Sequence, residues 1–120
     1  MLGNEATAST KTQMLPAASR GAGAANGAYL DVSQFEGDLC FVFNTGAVTG
    51  SVAYKVQDAD DTGGTNVADV AGATLAGVQN ADGAIVIRKS AIRKAVRVVA
   101  TVTGGPVLCS STLVSRPKNL

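Results

Sequence analysis

The sequence predicts an all-β fold, a small β-sandwich or barrel with a flexible N-terminal arm. Short runs between positions 29 and 115 alternate side chains with the period of two that is typical of strands, and turn residues such as Gly104-Gly105 separate them. The first 28 residues lack that period and are mainly Ala, Gly, Ser and Thr, which bury too little apolar surface to offset the entropy of ordering. We therefore divide the chain into an arm, residues 1–28, and a β-sandwich domain, residues 29–120.

Each predicted strand follows from its own pattern. The run at 39–43 is apolar on both faces, which indicates a central strand, whereas the run at 52–57 alternates like a half-buried one. Small residues and glycines at 67–78 favour a short strand or an irregular crossing, and Asp-Gly predicts a turn at 80–83. The predicted strands are 29–32, 39–43, 52–57, 67–78, 85–88, 96–102 and 106–115, and the predicted core is Phe41, Phe43, Tyr54, Val56, Val98 and Val102.

Composition disfavours most enzyme classes. The 120 residues contain no histidine, two cysteines, and ten basic against nine acidic residues, for a net charge of +1. Without histidine there is no Ser-His-Asp or Cys-His arrangement and no imidazole metal ligand, and no glycine-rich loop has the form of a phosphate site. We expect a protein that is not an enzyme and carries no cofactor.

Nucleic acid and membranes are not expected partners. The net charge is close to zero and no aromatic residue stands among the basic ones, so the sequence provides neither a basic field nor a stacking platform. No apolar run approaches the roughly 20 residues of a membrane-spanning helix.

One segment has the spacing of a calcium-binding loop. Counted from Asp58, aspartate stands at positions 1 and 3, glycine at 6, asparagine at 9 and Asp69 at 12. Position 5 is Thr62, and an aspartate at position 12 is short for the bidentate role of glutamate. The preceding run at 52–57 is a predicted strand rather than a helix, so we expect a solvated hairpin loop without metal.

Charge is divided along the chain. Residues 1–83 carry three basic against nine acidic residues, a net charge of −6, whereas residues 84–120 carry seven basic residues and no acid. Two alternatives follow from this division. The charges could neutralise one another within one sandwich, or they could form a bipolar surface that pairs head to tail or docks on an acidic partner.

The two cysteines also leave two alternatives. The first 20 residues contain no apolar run of the kind found in secretory signals, which favours a reducing compartment with Cys40 and Cys109 as reduced, buried thiols. A disulfide between them is the other alternative, and it would need Cα atoms within about 7 Å.

Three runs of residues resemble those of one family of phage proteins. They are 31–42 (Asp-Val-Ser-Gln-Phe-Glu-Gly-Asp-Leu-Cys-Phe-Val), 54–61 (Tyr-Lys-Val-Gln-Asp-Ala-Asp-Asp) with 66–74 behind it, and 94–104 (Lys-Ala-Val-Arg-Val-Val-Ala-Thr-Val-Thr-Gly). In this order, followed by a Gly-Gly turn and a last strand, they are similar to the capsid decoration, or cement, proteins of tailed phages. The resemblance extends over residues 29–117.

The resemblance implies a β-module without catalytic residues that binds the outer surface of the assembled head. Its partners would be the major capsid protein and further copies of itself, as a homotrimer, and its location would be the virion surface. We expect the arm to be removable without loss of the fold but necessary for attachment. Rival interpretations are another virion part, associated with the tail or a fibre, and a surface-binding module such as one for carbohydrate. The predicted contact residues are Leu2, Met14, Leu15, Pro16, Arg88, Arg93 and Arg97.

Overall fold

A computed structural model describes residues 10–46, 50–78 and 81–117, which form two antiparallel sheets packed face to face. The predicted all-β sandwich is confirmed. A short 3-10 helix spans Lys89–Ala91. The strands are β1 (Thr10–Arg20), β2 (Gly23–Asn26), β3 (Leu30–Asp31), β4 (Phe35–Thr45), β5 (Gly50–Ala59), β6 (Ala68–Val78), β7 (Ala81–Arg88), β8 (Ala95–Gly104) and β9 (Val107–Pro117).

The first sheet has the strand order β1-β9-β4-β7, and the second has the order β2-β8-β5-β6, with the short β3 also paired to β8. The pairing of β4 with β7 is regular over eight consecutive residues, and that of β5 with β8 over ten. Register shifts interrupt the pairings of β1 with β9, of β4 with β9 and of β5 with β6. Both faces of β4 are apolar because β4 is a central strand, as the sequence predicts.

The core fills the space between the two sheets. Inward-facing side chains alternate with outward-facing ones along most of the length of β4, β5 and β7, and each of the six predicted core residues is at most 3% exposed. The rings of Phe43 and Tyr54 meet across the sheets with their centroids 4.5 Å apart. The predicted core is therefore confirmed. Aromatic and β-branched side chains make up most of the core, and the β-branched ones are the more numerous because the chain has few aromatic residues.

The prediction that residues 1–28 form a flexible arm outside the domain is wrong for residues 10–26. β1 pairs with β9 at the edge of the first sheet, and β2 pairs with β8 at the edge of the second. A bulge after Gln13 turns the consecutive residues Met14 and Leu15 both into the core, where they are 3% and 2% exposed. The composition argument failed because edge strands gain backbone hydrogen bonds as well as buried apolar area.

Gly27 lies where this N-terminal segment comes close to the second sheet. Its N–H donates a hydrogen bond to the carbonyl oxygen of Val98 at 2.8 Å. A Cβ atom at this position would collide with the carbonyl oxygen of Met14. The chain at Gly27 passes between β1 and β8, and only a glycine leaves both strands enough room.

Two other predictions differ from the structure. The run at 67–78 is a strand of 11 residues rather than a short one, although its pairing with β5 is irregular. The predicted turn at 80–83 is wrong from Ala81 onwards, because Asp82 and Gly83 are already paired with β4. Gly83 has a packing role instead, since the side chain of Leu75 occupies the place where its Cβ would lie.

Candidate interaction surface

The outer face of the first sheet is free of charged side chains over most of its area. Residues of β9, β4 and β7 that alternate with buried ones point to this side, and the strand register places them in adjacent rows. Val86 and Leu108 are 61% and 63% exposed there. We call this surface the uncharged face; its residues are Leu108, Ser110, Thr112, Val114, Cys40, Val42, Asn44, Ala84 and Val86.

Charged residues border the uncharged face at its two ends and on β1, where Lys11 stands opposite Val114. At one end the side chain of Arg116 lies 3.7 Å from Glu36, and Asp38 stands opposite Arg88 in the pairing of β4 with β7. At the other end Asp82 stands opposite Asn44. An uncharged centre with a charged rim is the arrangement typical of surfaces that contact another protein.

The outer face of the second sheet has a different character, because its polar side chains bind one another. Arg97 donates from Nε to Gln57 at 2.9 Å, and Gln57 donates to Asp69 at 2.8 Å. The guanidinium of Arg97 also covers the ring of Tyr29, 4.8 Å from its centroid. Hydrogen bonds from Gln57 and then from Lys55 lower the pKa of Asp69. The polar side chains on this face are therefore already bound to one another.

Arg93 joins the connection before β8 to the end of β5. Its side chain lies 3.0 Å from Asp58 and 3.0 Å from Asp60, and its backbone N–H donates to Asp58 at 3.0 Å. Burial alone would raise the pKa of Asp58, but the hydrogen bonds and the charge of Arg93 outweigh it and lower this pKa. The pKa of Asp60 is lowered by the amide of Asn66 and then by Arg93.

The segment with calcium-loop spacing is the hairpin loop between β5 and β6. Asp61 accepts hydrogen bonds from the backbone N–H groups of Gly63 and Thr65 and from the Thr65 hydroxyl. These bonds lower the pKa of Asp61. Asn66 donates to Asp60 at 2.7 Å. The acidic side chains thus hold the loop in shape by internal hydrogen bonds, and the predicted hairpin loop is confirmed.

The charge division along the sequence does not become a division of the surface. Bases from the C-terminal third bind acids from the rest of the chain: Arg93 binds Asp58 and Asp60, and Lys94 lies 3.7 Å from Asp31. Of the two alternatives, neutralisation within one sandwich is the one that agrees with these contacts.

The predicted contact residues lie in several environments. Leu2 lies outside the described residues, and Met14 and Leu15 are core residues that no partner can reach without unfolding. Pro16 and Arg88 are exposed, on β1 and β7. Arg93 and Arg97 are engaged by neighbours in the same chain, as described above. The sequence analysis missed Val86 and Leu108, although their outward positions follow from the alternation in β7 and β9.

The two cysteines are free thiols. Cys40 is half-buried on the uncharged face, whereas Cys109 is 2% exposed and points into the core. In the pairing of β4 with β9, Cys40 stands opposite Val114 and Cys109 opposite Thr45. The resulting offset along β4 is about 17 Å at roughly 3.3 Å per residue, which excludes a disulfide within the chain.

One hydrogen bond crosses the core between the sheets. The hydroxyl groups of Tyr54 on β5 and Thr45 on β4 are bonded to each other in buried surroundings. Burial raises the pKa of Tyr54, and the bond to Thr45 opposes that rise. A bonded hydroxyl pair tolerates burial that a lone hydroxyl does not, so the two residues fix the packing of the sheets at this end.

Within residues 10–46, 50–78 and 81–117, no group of three His, Cys, Asp or Glu side chains is placed to hold a metal ion. No helix in the same ranges is long and apolar enough to cross a membrane.

The architecture has a counterpart among solved proteins. The chain is similar to the crystal structure of the SPBc2 prophage-derived protein YomS, with a TM-score of 0.52 over 89% of this chain and 93% of that one. The two sequences are 16% identical, so the similarity shows a common fold and nothing further. No family model matches the chain, and no curated protein matches it.

Proposed function

We propose that this chain is a structural protein of a phage virion, which binds the outer surface of the head and holds neighbouring major capsid subunits together. The observation that carries the proposal is the uncharged face, a sheet surface without charged side chains at its centre and with two strongly exposed apolar residues, Val86 and Leu108. A role in the virion is further supported by the resemblance of residues 29–117 to decoration proteins and by the fold shared with a prophage-derived protein.

The uncharged face is suited to attachment by direct contact with a capsid. A contact with a charge-free centre avoids the cost of desolvating ions. Attachment of this kind depends on buried area rather than on long-range attraction, and it therefore persists at high salt.

The test is sedimentation of the purified protein with heads of the phage that encodes it, prepared without the protein. We expect the wild type to sediment with heads at low and at high salt. Thr112→Lys places a charge at the centre of the uncharged face and is expected to abolish sedimentation. Thr101→Lys adds the same charge at an exposed position on the outer face of the second sheet and is the matched control. Equal binding of both variants would exclude the uncharged face as the attachment surface.

Two other roles are a tail or fibre component of the virion and a carbohydrate-binding module. Electron microscopy of labelled virions distinguishes a head protein from a tail or fibre component by its position on the particle. A carbohydrate-binding module is disfavoured by the aromatic residues: four of the five are at most 2% exposed, and Arg97 covers the ring of the fifth, Tyr29. The homotrimer that the resemblance implies stays a prediction of its own, tested by the molecular mass of the free protein.

A further inference from the structure

The edge strands of the two sheets are protected to different degrees from pairing with a strand of another chain. The pairing of β1 is broken by two register shifts, and β1 contains Pro16. The pairing of β6 is also shifted twice, and Gly72 and Gly77 lie in the left-handed region at φ 74° and 68°. At the remaining edge of the second sheet, β2 and β3 have four and two residues. Bulges, proline and shortness are the usual devices that keep a sheet edge from pairing with another chain.

β7 carries none of these devices. It pairs with β4 over all eight of its residues without a register shift and contains neither proline nor lysine. The other sheet approaches it from beneath, where Leu75 packs under Gly83. In an antiparallel sheet alternate residues of an edge strand direct their N–H and C=O groups away from their neighbour, so β7 offers a regular row of backbone donors and acceptors.

The side chains of β7 indicate which partner suits this edge. Asp82, Ala84, Val86 and Arg88 point to the outer face, so the strand has an acid at one end, a base at the other and apolar residues between them. A second β7 running antiparallel, with Ile85 opposite Ile85, would bring each Asp82 opposite an Arg88 and each Ala84 opposite a Val86. The strand is thus complementary to itself.

We propose that two copies of this chain associate by pairing β7 with β7 about a twofold axis at Ile85. Residues directly opposite in antiparallel strands lie on the same face, so both Asp82–Arg88 pairs form on the outer side. Ile85 and Ile87, at 7% and 6% exposed, remain in the core of their own copy. The contact is isologous, as a twofold axis requires.

The pairing would join the two first sheets into one continuous sheet of eight strands. It would also place the uncharged faces of the two copies side by side, with the exposed Val86 side chains near the axis. The neighbouring charged group on β4 is Asp38, which stands opposite Arg88 in the same copy, and Lys89 follows Arg88 at the same end. This inference concerns self-association and is independent of whether the partner of the uncharged face is a capsid.

The test is a charge-reversal cycle followed by light scattering of the free protein over a wide range of concentration. The wild type is expected to reach the mass of two copies. Asp82→Arg alone and Arg88→Asp alone each place like charges opposite one another in both pairs, which is expected to weaken dimerisation about tenfold. The double variant exchanges the two charges and is expected to restore the wild-type dimer. Thr101→Arg, which adds a base on the second sheet, is expected to leave the dimer unchanged.

Several outcomes would overturn the proposal. A monomer at every concentration excludes the contact, and a mass of three copies favours the trimer implied by the resemblance instead. Failure of the double variant to recover when Asp38→Asn also removes the acid opposite position 88 in the same copy would show that Asp82 and Arg88 do not face each other across the axis. If the protein is monomeric and only its binding to heads responds to these substitutions, then the strand edge receives a capsid strand and not a second copy. Head binding by a wild-type monomer would leave the proposed function intact while this inference fails.

Discussion

Replacing Leu15 by alanine tests whether β1 is a strand of the sandwich. The Leu15 side chain is 2% exposed and stands opposite Ser111 of β9. Truncating a leucine at such a site costs the free energy of returning its methyl groups to water plus that of the cavity left behind, together about 2–5 kcal/mol. Small domains unfold with a free energy of about 5–15 kcal/mol in total. The substitution therefore removes a large part of the stability.

Thermal and urea unfolding followed by circular dichroism measure this loss. In a chain of 120 residues each kcal/mol shifts the Tm by about 4 °C, so Leu15→Ala is expected to lower the Tm by about 8–20 °C. Gln13→Ala changes an exposed residue of the same strand and is expected to stay within about 0.5 kcal/mol of the wild type. If both variants unfold together with the wild type, then β1 adds nothing to the core and our account of the N-terminal segment is refuted.

Three further substitutions test other parts of the structure by the same unfolding measurements. Tyr54→Phe leaves the buried hydroxyl of Thr45 without its partner and is expected to cost about 1–2 kcal/mol. Gly50→Ala forces a Cβ against the backbone of β8 at a φ of 115° and is expected to cost about 2–4 kcal/mol. Arg93→Met removes the group that lowers the pKa of Asp58, so it is expected to destabilise the fold at neutral pH. A lowered carboxyl pKa stabilises the fold at pH values above the pKa of the unfolded aspartate, about 3.9. The difference in free energy of unfolding between Arg93→Met and the wild type should therefore narrow as the pH falls below that pKa.

Each of these substitutions has a matched control in the chain. Adding Thr45→Val to Tyr54→Phe removes both partners and should recover part of the loss. Gly21→Ala meets no atom within 4 Å and should be neutral. Lys94→Met removes an adjacent base whose contact with Asp31 is longer and more exposed, so its effect should be smaller than that of Arg93→Met. If Arg93→Met and Lys94→Met lower the free energy of unfolding equally, and by the same amount at every pH, then the role given to Asp58 is contradicted.

The predictable part of the fold lies where the sequence pattern reports burial directly. Runs such as 39–43 and 96–102 alternate or are apolar throughout, and they form β4 and β8, central strands of the two sheets. The apolar outer side of β4 was correctly taken to mean a central strand. The pattern alone does not tell whether another layer covers that side. In the described part of the chain it is left open, and this created the uncharged face.

The N-terminal segment shows why edge strands are harder to predict. Residues 10–26 have small side chains and little period, and their alternation is broken by the bulge that turns Met14 and Leu15 inward together. Much of their stabilisation comes from backbone hydrogen bonds to β9 and β8, which depend on neighbours more than 70 positions away in the sequence. A composition-based reading of the segment by itself has no access to those neighbours.

The same dependence on strand neighbours decides the meaning of the charges. The bases that precede and begin β8 seemed separate from the acids of β5 because nearly 40 residues lie between them, yet β5 and β8 are adjacent in the sheet and Arg93 binds Asp58 directly. With those charges neutralised inside each copy, little net charge is left to draw copies together or onto a shell from a distance. Attachment through the uncharged face then gains by contact itself and should weaken only slightly as salt is added, whereas the Asp82–Arg88 pairs across the β7 edge would be screened by salt.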